Sequence, residues 1–182
     1  AEPEDWPHHN WYAAHRRATN GWPATRWILL PWDQEIVCDQ DYVRDRSNVS
    51  NDDTPARLYA QLRAWPEFRR EFGDRVEKHL FNGGALTAEN NAARFAGRAH
   101  SISNALVAES ARWGDAREFD TPGSPATGVT FTRDEYWQPE LRQLLTNWFP
   151  GQTAVALQRF RDAGLYPKLA APSLVPFGGR VA

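Results

Sequence analysis

The pattern of hydrophobic and polar positions changes along the chain. Its first part is typical of a β-hairpin. Arg26 to Trp32 form a continuous apolar run with β-branched and aromatic residues, and Asn10 to Arg17 mix aromatic and polar residues. The dipeptide Asn20-Gly21 between them favours a tight turn with positive φ. The pattern therefore predicts strands at about residues 11–17 and 25–32, the second of them buried on both faces.

From residue 54 onward, the apolar residues recur at the spacing of an α-helix. Pro55 and Pro66 suit the first turn of a helix, and Gly83-Gly84 suits a helix end. Thr132, followed three residues later by Glu135, is a capping-box signature. The predicted fold class is therefore α+β and mostly α, a hairpin followed by about five helices between residues 54 and 163. These helices are expected to begin near Thr54, Pro66, Thr87, Thr132 and Gln152, with the third running as far as Trp113-Gly114.

Length and composition argue against several classes of protein. The 182 residues are 41% hydrophobic and 24% charged, so the chain can bury a core. Its formal net charge of −2 lacks the basic excess of a nucleic-acid binder. No run approaches the ~18 apolar residues of a membrane span, and the single cysteine, Cys38, excludes an intramolecular disulfide. There is no methionine, even at position 1, so we expect a processed chain or a piece of a longer protein.

Three oxygen-bearing side chains flank the predicted hairpin. Asp5 and Asn10 lie on a proline-containing loop before the first strand, and Asp33 directly follows the second. Because a hairpin brings its two ends together, Asn10 and Asp33 can share an ion, and carboxylate and amide oxygens are ligands that Mg²⁺ prefers. Protein kinases use the same order of residues: the first Asp accepts the proton of the attacking hydroxyl, and the Asn and second Asp bind magnesium.

The same residues also allow other interpretations. Asp and Asn are common in loops, so Asp5 and Asn10 could be turn residues and Asp33 a cap. A metal-dependent hydrolase would use the same carboxylates, but it needs a water-activating base that the sequence does not identify. A zinc site at His8 and His9 is disfavoured, because adjacent residues of an extended chain point in opposite directions.

Five strings in order resemble the spore coat protein H (CotH) kinase family, and together they span essentially the whole chain. The sequence also departs from the kinase pattern, since Gln34 stands where kinases have a glycine after the second Asp. No glycine-rich phosphate loop or strand lysine precedes Asp5, and the only lysines, Lys78 and Lys168, lie in the helical body. The similar strings are D-W-P-H-H-N-W-Y-A-A (5–14), W-I-L-L-P-W-D-Q-E (27–35), A-E-S-A-R-W-G-D (108–115), T-R-D-E-Y-W (132–137) and A-G-L-Y-P-K-L-A-A-P (163–172).

The resemblance implies an atypical protein kinase that transfers the γ-phosphate of ATP to Ser or Thr of a protein substrate, with Mg²⁺ or Mn²⁺. By position, Asp5 resembles the catalytic Asp, and Asn10 and Asp33 resemble the metal ligands; the nucleotide-binding residues are unknown. The chain would then be one partial domain over residues 1–182, the C-terminal lobe of a protein-kinase-like fold. Residues 1–36 would hold the catalytic loop and metal-binding hairpin, and residues 54–182 the helical lobe.

The resemblance also bears on partners, location and activity. The N-terminal lobe of the same chain would be missing, so this fragment is expected to be inactive alone and to expose an apolar patch near Trp6, Trp11 and Trp32. Bacterial relatives favour a cell-surface, secreted or spore-coat location. The alternative function is a non-catalytic kinase-like surface module that binds a protein or a polysaccharide.

One further cluster of charged residues has no assigned role. Glu109 and Arg112 have i,i+3 spacing near the end of the third predicted helix, and Asp115 follows them. Glu109 and Arg112 could form a pair on the helix surface. For the cluster as a whole, a buried structural ion pair between lobes is the favoured interpretation, and a substrate-facing role is the alternative.

Overall fold

The computed structural model describes residues 7–33, 38, 45–50, 53–115, 128–169 and 172. It confirms an α+β, mostly helical chain in which an antiparallel hairpin precedes the helices. No strand occurs in the described residues between 54 and 163. The elements are β1 (Trp11–Ala14), β2 (Ile28–Pro31), α1 (Pro55–Leu62), α2 (Pro66–Leu80), α3 (Ala88–Ile102), α4 (Ala105–Trp113), a π-helical turn (Arg133–Trp137), α5 (Gln138–Gln143), a second π-helical turn (Leu144–Trp148) and α6 (Phe149–Asp162).

The hairpin is built around the predicted Asn-Gly turn. Thr19 and Trp22 form an isolated antiparallel bridge across the turn, and Gly21 has a φ of +86°. β1 and β2 pair in a register that places Trp11 opposite Pro31 and Ala14 opposite Ile28. The paired strands are shorter than the predicted ones. Pro23, between the turn and β2, has no amide hydrogen to donate to a ladder.

The prediction that the second strand is buried on both faces is wrong for this structure. All four residues of β2 are exposed, and Ile28, Leu29 and Leu30 show 54%, 49% and 48% of their surface. A fully apolar strand is typical of strands covered on both faces. The described part of the chain does not cover β2 in this way.

Three threonines start helices as the sequence indicates. Each lies in extended backbone just before the first turn, and its hydroxyl accepts a hydrogen bond from a backbone N–H that has no partner within the helix. The threonine–amide pairs are Thr54 with Ala56 (3.2 Å), Thr87 with Asn90 (3.4 Å) and Thr132 with Glu135 (3.1 Å).

The helical body differs from the prediction in its breaks. The predicted third helix is divided into α3 and α4 at Ser103 and Asn104, a pair of residues that favour caps and turns over helix interiors. The predicted fourth and fifth helices are instead one continuous helical segment from residue 133 to residue 162. Among the described residues, no helix combines the length and apolar character that crossing a membrane requires.

Proline explains how this segment continues through two π-helical turns. A helical proline has no N–H and clashes with the carbonyl four residues earlier. For Pro139 that carbonyl belongs to Glu135, and for Pro150 it belongs to Thr146, so each falls inside a π-helical turn. There the bonds span five residues, as from the Phe149 N–H to the Leu144 carbonyl. The wider turn accommodates the proline without ending the helix.

The chain divides into two compact units, Ala1–Arg75 with Leu157–Ser173 and Val76–Ala156 with Leu174–Ala182. In the first unit, Leu165 is only 1% exposed, and Phe72 packs edge-on against Phe160 at 5.1 Å between ring centres. In the second, Phe95 contacts Phe149 at 5.1 Å. Among the described residues of this unit, the buried apolar ones are Val76, Leu80, Ala99, Leu144 and Trp148. The single partial domain expected from the sequence remains a prediction.

Candidate functional site

The hairpin places Asn10 and Asp33 at its open end, next to each other in register. Trp11 pairs with Pro31, and one position further the Trp32 N–H donates a 2.9 Å hydrogen bond to the Asn10 carbonyl. Asp33 directly follows Trp32. The structure therefore places the backbones of the two residues that were predicted to share an ion in neighbouring positions at the hairpin end.

Both residues have left-handed backbone conformations. Asn10 has a φ of 63° and Asp33 a φ of 56°. This region is unfavourable for most L-residues, and Asn and Asp are the non-glycine types that enter it most readily. The two residues thus turn the chain out of the strand direction on both sides of the hairpin end. Conformations of this kind are enriched at functional sites, although turns also use them.

The two side chains differ in their exposure to solvent. Asn10 is only 6% exposed, and its Nδ2 has no hydrogen-bond partner among the described residues. Asp33 is exposed. Buried amide groups are almost always hydrogen-bonded, so an unpartnered one needs an explanation such as a ligand. A bound phosphate oxygen can accept from Nδ2, while the carboxamide oxygen is the atom that can bind a cation.

The third predicted site residue cannot be placed. Asp5, the predicted catalytic residue, lies outside the described residues, as does Trp6. Within the described ranges, no three His, Cys, Asp or Glu side chains form a group that could hold a metal ion. The described candidate site therefore consists of one carboxylate and one carboxamide. Both present hard oxygen ligands of the kind that Mg²⁺ and Mn²⁺ take.

One face of the hairpin beside this site is apolar and exposed. The Tyr12 ring stacks on Trp32 with 5.8 Å between centres and 16° between planes. Tyr12 shows 61% of its surface and Trp32 48%. From the other face of β1, Trp11 is half-buried and lines an open groove of about 400 Å³ together with residues at the start of α1. The predicted apolar patch is therefore present at Trp32, whereas Trp11 faces α1.

Glu109 and Arg112 do not pair with each other, and neither is part of a buried ion pair in the described part of the chain. Both side chains are exposed, and no salt bridge joins them among the described residues. The Arg112 guanidinium instead lies 5.0 Å from the ring centre of Trp113. Glu109 lines a second groove, whose aromatic walls include Phe131 and Tyr136. The sequence signal that could have indicated this groove is the presence of Trp113, Tyr136 and Trp137 in the strings at 108–115 and 132–137.

No protein-family profile, curated protein or solved structure matches this chain. The resemblance to the CotH kinases therefore stays a prediction from the five sequence strings and their order.

Proposed function

We propose that this chain is part of an atypical, CotH-like protein kinase that transfers the γ-phosphate of ATP to Ser or Thr of a protein substrate. In this proposal Asn10 and Asp33 hold Mg²⁺ or Mn²⁺, and Asp5 accepts the proton of the attacking hydroxyl. In this proposal the activity also uses a nucleotide-binding lobe, because phosphoryl transfer needs groups that hold the phosphates of ATP.

The observation that carries the proposal is the neighbouring backbone position of Asn10 and Asp33 at the open end of the hairpin. The 2.9 Å hydrogen bond from the Trp32 N–H to the Asn10 carbonyl fixes the two residues in adjacent register. In the kinase arrangement the metal-binding Asn and Asp stand on the two sides of a hairpin, and this order is present here. The unpartnered, 6%-exposed Asn10 amide adds a polar group that a ligand would satisfy.

The chemistry of these side chains fits the proposed ion and nucleotide. When bound, a divalent ion neutralises phosphate charge and orients the triphosphate. Asp33, as an exposed carboxylate, can reach an ion that also contacts solvent and phosphate. Asn10, as a buried neutral amide, offers an oxygen ligand without adding a second desolvated charge.

Metal binding can be tested on the 182-residue chain with Mn²⁺ as the probe. We expect Mn²⁺ to broaden NMR signals of the Asn10 side-chain amide and the Trp32 indole first. Asp33→Asn should remove this local broadening, and Asp74→Asn should keep it. Asp74 is the control because it is an exposed aspartate of the same compact unit that lies in α2, outside the hairpin. Broadening that survives Asp33→Asn would contradict the assignment.

Phosphoryl transfer can be tested on a longer protein that contains this chain and a nucleotide lobe. Asp33→Ala should abolish Mg²⁺-dependent transfer, because the ion positions the reacting phosphate. Asn82→Ala is a control for placing alanine at a position with positive φ, since Asn82 has a φ of 51° away from the hairpin. Transfer at the wild-type rate by Asp33→Ala would show that this carboxylate is not a metal ligand of the reaction.

A non-catalytic surface module is the second candidate, and the exposed face of the hairpin favours it. Tyr12, Ile28 and Trp32 are all about half-exposed or more, and apolar surfaces of this kind mark binding sites. The two candidates differ in metal dependence. A binding module should keep its affinity for a partner after Asp33→Asn and in the absence of divalent ions, whereas the kinase loses transfer in both cases.

A further inference from the structure

A groove in the second compact unit has the composition of a site for an organic cation. It has a volume of about 470 Å³ and lies between α4 and the first π-helical turn, a size typical of ligand pockets. We call it the aromatic groove; the lining residues that matter here are Glu109, Trp113, Phe131, Tyr136, Trp137 and Glu140.

The backbone holds the two sides of the aromatic groove together. The Phe131 N–H donates a 2.8 Å hydrogen bond to the Gly114 carbonyl at the end of α4. A Cβ at Gly114 would lie 2.5 Å from the Ser110 carbonyl oxygen and 2.8 Å from that of Phe131. Only glycine permits this close approach, so the geometry of the groove is built into the backbone.

The walls of the aromatic groove present exposed ring surface. Trp113 shows 52% of its surface, Phe131 41% and Tyr136 40%. Phe131 and Tyr136 lie 4.7 Å apart, so they form one continuous wall. The faces of aromatic rings carry partial negative charge and attract cations within about 6 Å. Arg112 already lies 5.0 Å from the centre of the Trp113 ring, so this ring contacts a guanidinium in the structure.

Two carboxylates give the groove its charge. Glu109 and Glu140 both line it, and neither side chain makes a hydrogen bond or ion pair with another residue in the described part of the chain. Two negative groups beside aromatic rings repel an anionic ligand and complement a cation. A planar guanidinium matches this combination better than an ammonium, since it stacks on rings and donates two parallel hydrogen bonds to a carboxylate.

We propose that the aromatic groove binds an arginine side chain of a basic peptide segment, with the guanidinium stacked on the aromatic wall and paired with Glu109 or Glu140. This binding site is independent of the proposed phosphoryl transfer. It uses residues of one compact unit and requires neither Asn10 nor Asp33.

The test uses the full 182-residue chain and the peptide acetyl-Gly-Arg-Gly-Arg-Gly-amide. Its matched control replaces both arginines with citrulline, which keeps the shape of the side chain and removes the charge. We expect the arginine peptide to shift the indole N–H signals of Trp113 and Trp137, identified with the variants Trp113→Phe and Trp137→Phe. The citrulline peptide should bind about tenfold more weakly, since it loses the cation–π and charge-assisted contacts.

Charge-neutral variants then test the carboxylates. Glu109→Gln with Glu140→Gln should weaken binding of the arginine peptide about tenfold, whereas Glu89→Gln should leave it unchanged. Glu89 is an exposed glutamate of the same compact unit that does not line the groove. Equal affinity for both peptides, equal loss in Glu89→Gln, or shifts confined to other tryptophans would overturn the proposal. A neutral oligosaccharide that shifts Trp113 and Trp137 when the arginine peptide does not would also overturn it.

Discussion

Replacing Gly164 with alanine should destabilise the first compact unit, while the same substitution at Gly73 should stabilise it. Gly164 ends α6 in a Schellman motif: its N–H donates to the Arg161 carbonyl at 3.1 Å, and the Leu165 N–H donates to the Phe160 carbonyl at 2.8 Å. The motif needs a left-handed residue, and Gly164 has a φ of +69°.

The magnitude at Gly164 follows from its surroundings. A Cβ there would meet nothing within 4 Å, so the cost comes from the backbone alone, about 1–2 kcal/mol. Alanine also restricts the unfolded chain, which offsets about 0.4–1 kcal/mol. The expected net loss in free energy of unfolding is therefore about 1 kcal/mol. The loss would be larger if the backbone moved instead, because Leu165, which is 1% exposed, follows directly.

Gly73 is the matched control because it lies in the same unit and near the same residue. It is inside α2 with helical backbone, and a Cβ there would stand 3.5 Å from the Leu165 carbonyl oxygen, an ordinary contact. Alanine in a helix interior is favoured over glycine by about 0.8–1 kcal/mol. The two variants should therefore change the free energy of unfolding in opposite directions, and their values should differ from each other by about 2 kcal/mol.

Urea unfolding followed by circular dichroism and by tryptophan fluorescence measures both changes. The two signals also show whether the compact units unfold together, which a single free energy requires. Shifts of the same sign in both variants, or a Gly164→Ala variant within about 0.5 kcal/mol of the wild type, would refute the backbone argument.

Three further predictions concern the helix start at Thr132, an exposed ion pair and ATP. Thr132→Ala should cost about 1 kcal/mol in urea unfolding, because its hydroxyl accepts the Glu135 N–H at 3.1 Å; an unchanged midpoint would contradict this. The hydrogen bond from Arg133 lowers the pKa of Asp134. The stability that this bond adds to the folded protein is present above the pKa that Asp134 has in the unfolded chain, and it is lost as the pH falls through the pKa of Asp134 in the folded protein. An NMR titration of Arg133→Gln should show this pKa raised, and an unchanged value would exclude the ion pair as its cause. The 182-residue chain should bind ATP in calorimetry only at millimolar concentration or not at all, because the proposed kinase holds the triphosphate with groups of its other lobe. Micromolar affinity would place the nucleotide site within these 182 residues.

Local chemistry determined the elements of this protein that the sequence predicts well. Thr54, Thr87 and Thr132 each start a helix because the hydroxyl that accepts the orphan N–H lies within three residues of it. The Asn20-Gly21 turn forms because glycine accepts a φ of +86°. The neighbouring backbone positions of Asn10 and Asp33 follow from that turn, since a hairpin places its two ends side by side.

Only the tertiary structure decided which of these elements are covered and which surfaces face each other. An apolar run such as Ile28 to Leu30 indicates that a strand needs partners, but its exposure depends on residues far along the chain or outside it. The aromatic groove depends on the contact between Gly114 and Phe131, which are distant enough in sequence that no helical or strand period relates them. The hydrophobic periodicity of a sequence shows only which face of its own helix or strand a residue occupies. Which element packs against that face depends on the folded backbone, because contacts between distant segments must offset the entropy of closing the chain between them.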